Sequence, residues 1–423
     1  MNLHSAIKES RKIVNSSLYD FSQLEDIFLK ANSQGNFQVE DVGLSNLKDW
    51  NFDNVGNFSH KSERFFKIVN VSNNIIDTGI LLQNEIGTLG LISCIYEENF
   101  YVLVQLKKEP GNKLSAQLSP TLQATLSNQN KIHGGSAPKY LEIFENIEEK
   151  ETIFQKNLPE QGNRYWRKFN KNIVVLKDYF KEEENFLWMT LGQIYEFTKY
   201  DNSINSCLRS VLSLVVDERI ERKNIEFSFD NLNEKNKSKV KDSIVNFYDK
   251  SKDELCFETL NDKFHIKGIK ISIEDREVKS WDQPIIYDPY LEEYIILSVL
   301  INGERKYILR KYYEPGYEKG FVFGPTITNR SDQLNSSLED LKLFSEEDIN
   351  FKLIKTIEMS EEGGRFLQTT VKHSFYELTV NSELNVDKNY EVLSMNEINN
   401  INNIQLLSME ARSLIFFANH IYN

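Results

Sequence analysis

Glu109-Pro110-Gly111 recurs 205 residues on as Glu314-Pro315-Gly316, and Pro120-Thr121 recurs at the same offset as Pro325-Thr326. Farther along, Glu160-Gln-Gly-Asn-Arg164 answers Glu361-Glu-Gly-Gly-Arg365 at an offset of 201, and Cys207-Leu-Arg209-Ser-Val answers Glu410-Ala-Arg412-Ser-Leu at 203. Four collinear matches constrain the fold more than any other feature of the chain. A period this long excludes a solenoid, whose units run about 20–50 residues, and implies two copies of one domain. The length of 423 residues agrees, since a single core stops growing near 250–300 residues. The expected division is a helical arm at 1–35, a first repeat at 36–220, a connecting segment at 221–262 and a second repeat at 263–423.

Local patterns supply the elements. Leu18, Phe21, Leu24, Ile27 and Phe28 form the apolar stripe of a helical segment read over 3–31. Strand-like segments follow at 64–71, 88–96 and 100–106, and 171–180 is rich in Ile, Val, Tyr and Phe. Thr190 with Gln193 and Ser394 with Glu397 have capping-box spacing, so both copies start a helix at equivalent places. The charged, Asn-rich join reads as helical at 236–249. Strands interleaved with single helices define an α+β (mixed α/β) unit.

Charge and cysteine content exclude several function classes. Fifty basic against 63 acidic residues leave a net charge of −13, which opposes a broad nucleic-acid or acidic-membrane surface. Cys94, Cys207 and Cys256 have no close spacing and read as reduced, buried thiols, neither a disulfide framework nor a zinc site. No apolar run approaches membrane length, and MNLHSAIKESRK lacks a signal-peptide core, so the cytoplasm is expected.

The stretch from Glu109 to Gly135, EPGNKLSAQLSPTLQATLSNQNKIHGG, carries hydroxyls, amides, glycines and one histidine with little apolar bulk. Such a run offers dense donors to a small anionic ligand. Its EPGN, QLSPTLQAT and SN…H-x-G order closely resembles the nucleotide-hexose 2,3-dehydratases of deoxysugar biosynthesis. GNFSHKSERFF at 56–66, EQGNRYWRKFNKNIVV at 160–175, FLWMTLGQIYEF at 186–197, DREVKSWDQPI at 275–285, EEGGRF at 361–366 and SMEARSL at 408–414 resemble that family in family order, from about Leu44 to the C-terminus. The resemblance implies two tandem Nudix-like domains from an internal duplication. The Nudix catalytic box, REUxEExG, is nowhere in the chain, which argues against pyrophosphate hydrolysis by that mechanism.

Candidate residues follow from type and setting. His133, before Gly134-Gly135 in a polar loop, suits proton transfer near neutrality, and His60 matches the family's H-x-S segment; a solvated loop histidine is the bland alternative for each. Gln117, Ser119, Thr121, Gln123, Thr125, Ser127 and Asn128 are read as one polar strand face lining a pocket, with a solvated edge as the alternative, and Lys131 joins them as a ligand contact. Trp50 and Trp281 are candidates for stacking on a base or covering a sugar, against core packing. Arg164 and Arg365 suit bidentate phosphate binding, with a repeated internal salt bridge nearly as good an account. Arg209 and Arg412 read as structural, as does Glu109 with its copy Glu314. Repeat two replaces the polar run with FVFGPTITNRSD, so repeat one is expected to supply the main pocket.

The resemblance implies a cofactor-independent, metal-free elimination of water from a dTDP-linked 4-keto-6-deoxyhexose, with a downstream 3-ketoreductase and a homodimeric state. Alternatives are a non-catalytic nucleotide-sugar-binding protein, or an isomerase using the same enolate.

Overall fold

The computed structural model describes residues 2–33, 37–74, 76–125, 137–216, 238–241, 243–259, 262–273, 279–317, 321–330, 349–380, 384, 386–403 and 405–422. Its architecture is α+β, mostly sheet, and built twice. In the first large sheet, Thr152–Pro159, Phe169–Leu176, Gly87–Tyr96, Asn99–Lys107 and Phe186–Met189 lie side by side, and Gln117–Ser119 and Leu122–Ala124 add to it. The second large sheet repeats that order with Ile349–Ser360, Thr370–Val380, Glu292–Ile301 and Glu304–Tyr312. Each has a parallel pair at the same place, Phe169–Leu176 beside Gly87–Tyr96 and Thr370–Val380 beside Glu292–Ile301, with antiparallel neighbours. The duplicated Pro-Thr turns also match atom for atom. Thr121 Oγ1 donates to Leu103 O and accepts from Ile92 N, while Thr326 Oγ1 donates to Ile308 O and accepts from Leu297 N.

Two helices join the sheets. Ser206–Leu212, capped by Asn205, and Met409–Ile421, capped by Ser408, pack on their own sheets and on each other. All of the first and Met409 to Asn419 of the second are buried, the condition of a central helix rather than a surface one. Arg209 Nε donates to Ser413 Oγ and Arg412 Nε to Ser210 Oγ, both at 3.1 Å, and each guanidinium also bonds a main-chain carbonyl of the opposite repeat, Ser360 O and Pro159 O. The structural reading of these two arginines is thus the observed one. One apolar core runs through both halves, from Leu89, Val102 and Ile194 to Ile296, Phe323 and Phe417.

Two smaller sheets flank the large ones, and each borrows a strand. Lys239–Lys241, in the join, pairs with Lys67–Ser72 of repeat one; Phe37–Asp41, at the start of repeat one, pairs with Lys263–Ile273 of repeat two. Among the described residues the join forms no α-helix where the sequence reading places one, at 236–249: it holds Lys239–Lys241, a short 3-10 turn at Val245–Phe247 and Tyr248–Asp249. The N-terminal segment also departs from one continuous helix, forming Leu3–Ser10 and Phe21–Ser33, with Ala6, Ile7, Phe21, Leu24 and Phe28 in the main core. Both expected capping boxes form, at Thr190/Gln193 and Ser394/Glu397.

Candidate active-site cleft

The duplicated turns dovetail across the repeats. Gly111 N donates to Gly363 O and Gly316 N to Gly162 O, both at 2.7 Å; Gln368 N returns to Gly111 O and Arg167 N to Gly316 O. There is no room for a side chain: a Cβ on Gly111 would lie 1.7 Å from Phe366 O, and one on Gly316 1.9 Å from Tyr165 O. Glu-Pro-Gly of each repeat is therefore a tenon for the other repeat's Gly-x-Arg turn, which sequence offsets alone cannot reveal. Two pseudo-equivalent clefts result, each holding one repeat's glutamate and the other's arginine.

The cleft around Arg164 is closed. Arg164 is 4% exposed, stacks on Phe264 at 4.2 Å, and is gripped by Asp262 and Asp288, with Nη2 at 3.0 Å from a carboxylate oxygen of each. These anions hold the guanidinium above its ordinary range despite its burial. It cannot also hold a phosphate, which corrects that expectation and selects the salt-bridge reading. Asp262, Asp288 and Glu292 converge within 4.8 Å, and Arg164 is the cation that explains the first two. Nearby, Glu314 is pushed well above the usual carboxylate range, first by burial and then by Glu410. A neutral Glu314 beside Tyr312 and Tyr317 is the state this environment favours.

The cleft around Arg365 lacks the locking anions. Arg365 stacks on Phe66 at 4.5 Å as Arg164 does on Phe264, but among the described residues it forms no salt bridge; its Nη1 donates to the neighbouring Gly364 O at 2.9 Å, its Nε has no partner, and it is half-buried. The strand pairings Ile68 with Leu81 and Ile266 with Ile286 place Arg64 and Gln83 where Asp262 and Asp288 stand in the other copy. The two locking anions are thus replaced by a cation and an amide, and Arg64 is exposed. Arg365 also lines a shallow crevice with Phe66, Leu81, Pro284 and Ile286.

Beside it two carboxylates meet. Gln123 Nε2 lies 3.1 Å from Glu109 Oε1 and 3.0 Å from Glu362 Oε1. Lys107 Nζ is 3.1 Å from Glu109, Asn205 Nδ2 is within 3.4 Å of Glu109 and 3.3 Å of Gln123 Oε1, and Tyr165 donates its hydroxyl to Glu362 at 3.4 Å. Burial and then the Glu109 charge raise Glu362, against the pull of Arg365. Burial lowers Lys168 nearby. At the matching places of the closed cleft stand Tyr312 for Lys107, Thr328 for Gln123, Ser408 for Asn205 and Gln161 for Glu362. A half-buried carboxylate raised by desolvation and a like neighbour, with one cation and two amides in reach, can take up and return a proton.

The sequence-derived candidates divide. Gln123 and Arg365 join this cleft, and Thr125 is half-buried two residues beyond Gln123. Trp281 reaches it through a relay, donating Nε1–H to Gln283 Oε1 at 3.0 Å while Gln283 Nε2 donates to Gly364 O at 2.9 Å. Gln117, Ser119 and Thr121 do not line a pocket: all three are buried, Gln117 bonding Asn202 O and Ser360, Thr121 tying its turn to the sheet. The run is two three-residue strands, Gln117–Ser119 and Leu122–Ala124, broken at the Pro-Thr turn, so strand periodicity does not carry through it. Trp50 is 7% exposed among Phe58, Phe65 and Phe66, a packing role rather than a stacking surface. His60 stands edge-on to Trp50 and Phe65 and is half-buried. Its Nδ1 accepts the Ser62 backbone N–H at 3.1 Å, which puts any single ring proton on Nε2. Ser127, Asn128, Lys131, His133, Gly134 and Gly135 lie outside the described residues. Sequence reasoning missed Lys107, Asn205, Gln283 and Glu362; the one available signal for Glu362 was its mismatch with Gln161 in otherwise parallel turns.

A duplicated α+β protein with one closed and one open arginine–carboxylate cleft is a class that the comparisons narrow to a family. The family model described as NDP-hexose 2,3-dehydratase matches residues 22–215 and 242–417, and the chain belongs to that family. Relatives named dTDP-4-dehydro-6-deoxy-alpha-D-glucopyranose 2,3-dehydratase include one from Amycolatopsis orientalis, 28% identical over 80% of this chain and 77% of its own length. Others come from Saccharopolyspora spinosa, 25% identical over 90% and 88%, and Streptomyces violaceoruber, 25% identical over 92% and 94%. Among solved structures, the Caenorhabditis elegans Ap4A hydrolase aligns with 27% of this chain and 86% of its own at 11% identity and TM-score 0.21. The NUDIX domain of Shewanella oneidensis NrtR aligns with 30% and 84% at 13% identity and TM-score 0.20.

Proposed function

We propose that the chain removes water from a dTDP-linked 4-keto-6-deoxyhexose to give the 3,4-diketo-2,6-dideoxy sugar, and that the Arg365 cleft is where it does so. The observation that carries the site assignment is the asymmetry of the two clefts: one arginine is locked by two aspartates, whereas the other is half-buried beside a carboxylate pair, forms no salt bridge among the described residues and leaves its Nε without a partner. In this reading Arg365, helped by Arg64, meets the diphosphate. The carbon 4 ketone acidifies the proton on carbon 3, a positioned base takes it, and the carbon 2 hydroxyl leaves as water with a proton from a general acid. The resulting enol tautomerises to the ketone at carbon 3. Donors toward the carbon 4 oxygen stabilise the enolate. Glu362 with Glu109 supplies proton-transfer capacity inside the cleft; His133 and His60 remain the histidine candidates. Ser127, Asn128, Lys131, Gly134 and Gly135 belong to the same proposal as ligand contacts, together with Gln123, Thr125 and Trp281.

A homodimer acting in the cytoplasm, feeding a 3-ketoreductase, is the setting proposed with it. The test is incubation of the purified protein with the 4-keto-6-deoxy sugar nucleotide and a ketoreductase that traps the diketone. A product lighter by one water before reduction supports the dehydratase, an isobaric product an isomerase, and binding without turnover a non-catalytic protein. His133→Asn is expected to lower turnover by about 10²–10⁴-fold while nucleotide binding persists.

A further inference from the structure

Away from the cleft, strand Glu254–Glu258 pairs antiparallel with Lys263–Ile273 in the small sheet of repeat two, and the register sets Cys256 directly opposite His265. Glu254, two residues before Cys256, shares its face of the strand. The three side chains converge. Cys256 Sγ is 3.3 Å from His265 Nδ1 and 3.5 Å from Glu254 Oε1, and Nδ1 is 3.1 Å from that oxygen. The His265 and Glu254 side chains are 13% and 9% exposed, and Cys256 is half-buried, so the group is shielded but open on one side.

Hydrogen bonds alone do not complete this triangle. The thiol carries one proton, Nδ1 at most one and the carboxylate none, so two protons at best serve three short edges. A metal ion satisfies all three at once. Zinc bonds of about 2.3 Å to sulfur, 2.0–2.1 Å to nitrogen and 2.0–2.2 Å to oxygen, at tetrahedral angles, place the donor atoms about 3.3–3.6 Å apart. The observed separations fall within a few tenths of an ångström of those edges. The donor set also has the right charge and softness, one thiolate, one carboxylate and one neutral imidazole against a divalent ion.

We propose that Glu254, Cys256 and His265 form a binding site for a zinc-class divalent cation, with three protein ligands and water in the fourth position. The ion would displace the thiol proton and clamp the two strands; the second of these strands pairs with Ser280–Tyr287, which holds Trp281 and Gln283 over the cleft. The sequence reading excluded zinc because Cys94, Cys207 and Cys256 have no close spacing; the hairpin register brings Cys256 and His265 together.

The test uses the full chain, stripped with chelator and titrated with Zn²⁺ against a chromophoric competitor, then with Co²⁺ as a spectroscopic probe. One ion per chain is expected, with a sulfur-to-cobalt charge-transfer band and intense tetrahedral d–d bands. Cys256→Ser should abolish that band, and His265→Gln should weaken zinc binding by at least about tenfold. Circular dichroism reports folding, and if Cys256→Ser does not fold, His265→Gln decides. No stoichiometric zinc, a cobalt spectrum lacking the sulfur band, or wild-type affinity in either folded variant overturns the proposal.

Discussion

Glu109 and Glu314 occupy the same turn of the two repeats, yet Lys107, Gln123 and Asn205 surround the first, whereas burial and Glu410 favour a neutral form of the second. Glu109→Gln is therefore expected to cut turnover about 10²–10⁴-fold with folding retained, and Glu314→Gln to leave turnover near wild type. Steady-state kinetics on both variants checks this; equal losses would remove the asymmetry of the clefts. The arginines should behave in the opposite sense for stability. Arg164→Gln strands Asp262 and Asp288 and is expected to cost about 3–5 kcal/mol in urea unfolding, the penalty for an uncompensated buried charge. Arg365→Gln should leave stability nearly unchanged and weaken nucleotide binding, seen as a raised Kd by calorimetry. Glu361 gives a pH signature. Burial lifts its carboxyl from an ordinary 4.5 to about 7, against the pull of Arg209. The folded chain then binds more protons than the unfolded one between those values, so this stability is present at low pH and is lost as pH rises from 4.5 toward 7. Glu361→Gln should raise Tm relative to wild type at pH 8, and the gain should shrink toward pH 5.

At the scale of elements, the dovetailed turns are where small changes should have large effects. Gly111→Ala and Gly316→Ala each drive a methyl into a main-chain carbonyl of the other repeat, at 1.7 and 1.9 Å. Backbone cannot yield as a side chain can, so each is expected to destabilise by more than about 3 kcal/mol, and by similar amounts, in denaturant unfolding. The turn residues illustrate what a sequence can carry. Pro-Thr and Glu-Pro-Gly announce their own duplication, because local turn chemistry is written in adjacent residues. Thr121 and Gln117 look like ligand donors on paper, since an inward hydroxyl or amide bonded to backbone is the same letter as one facing solvent. The strands at 88–96 and 100–106 are legible from apolar runs alone, and form as Gly87–Tyr96 and Asn99–Lys107. Glu362 and Lys107 lie far apart in sequence and meet only through a contact between repeats, which no periodicity encodes.

For the molecule as a whole, the crossing of parts has a bearing on how the protein comes into being. The open cleft takes Lys107, Glu109 and Gln123 from the first half and Glu362 and Arg365 from the second. A ribosome that has completed only the first half has made no cleft, so under the proposed site assignment a nascent or truncated chain has nowhere to commit the elimination and release a reactive diketone. It follows that neither half, expressed by itself, should turn over substrate. Co-expressed as separate polypeptides, the halves should reconstitute activity by complementation, and a pair made of two first halves should not.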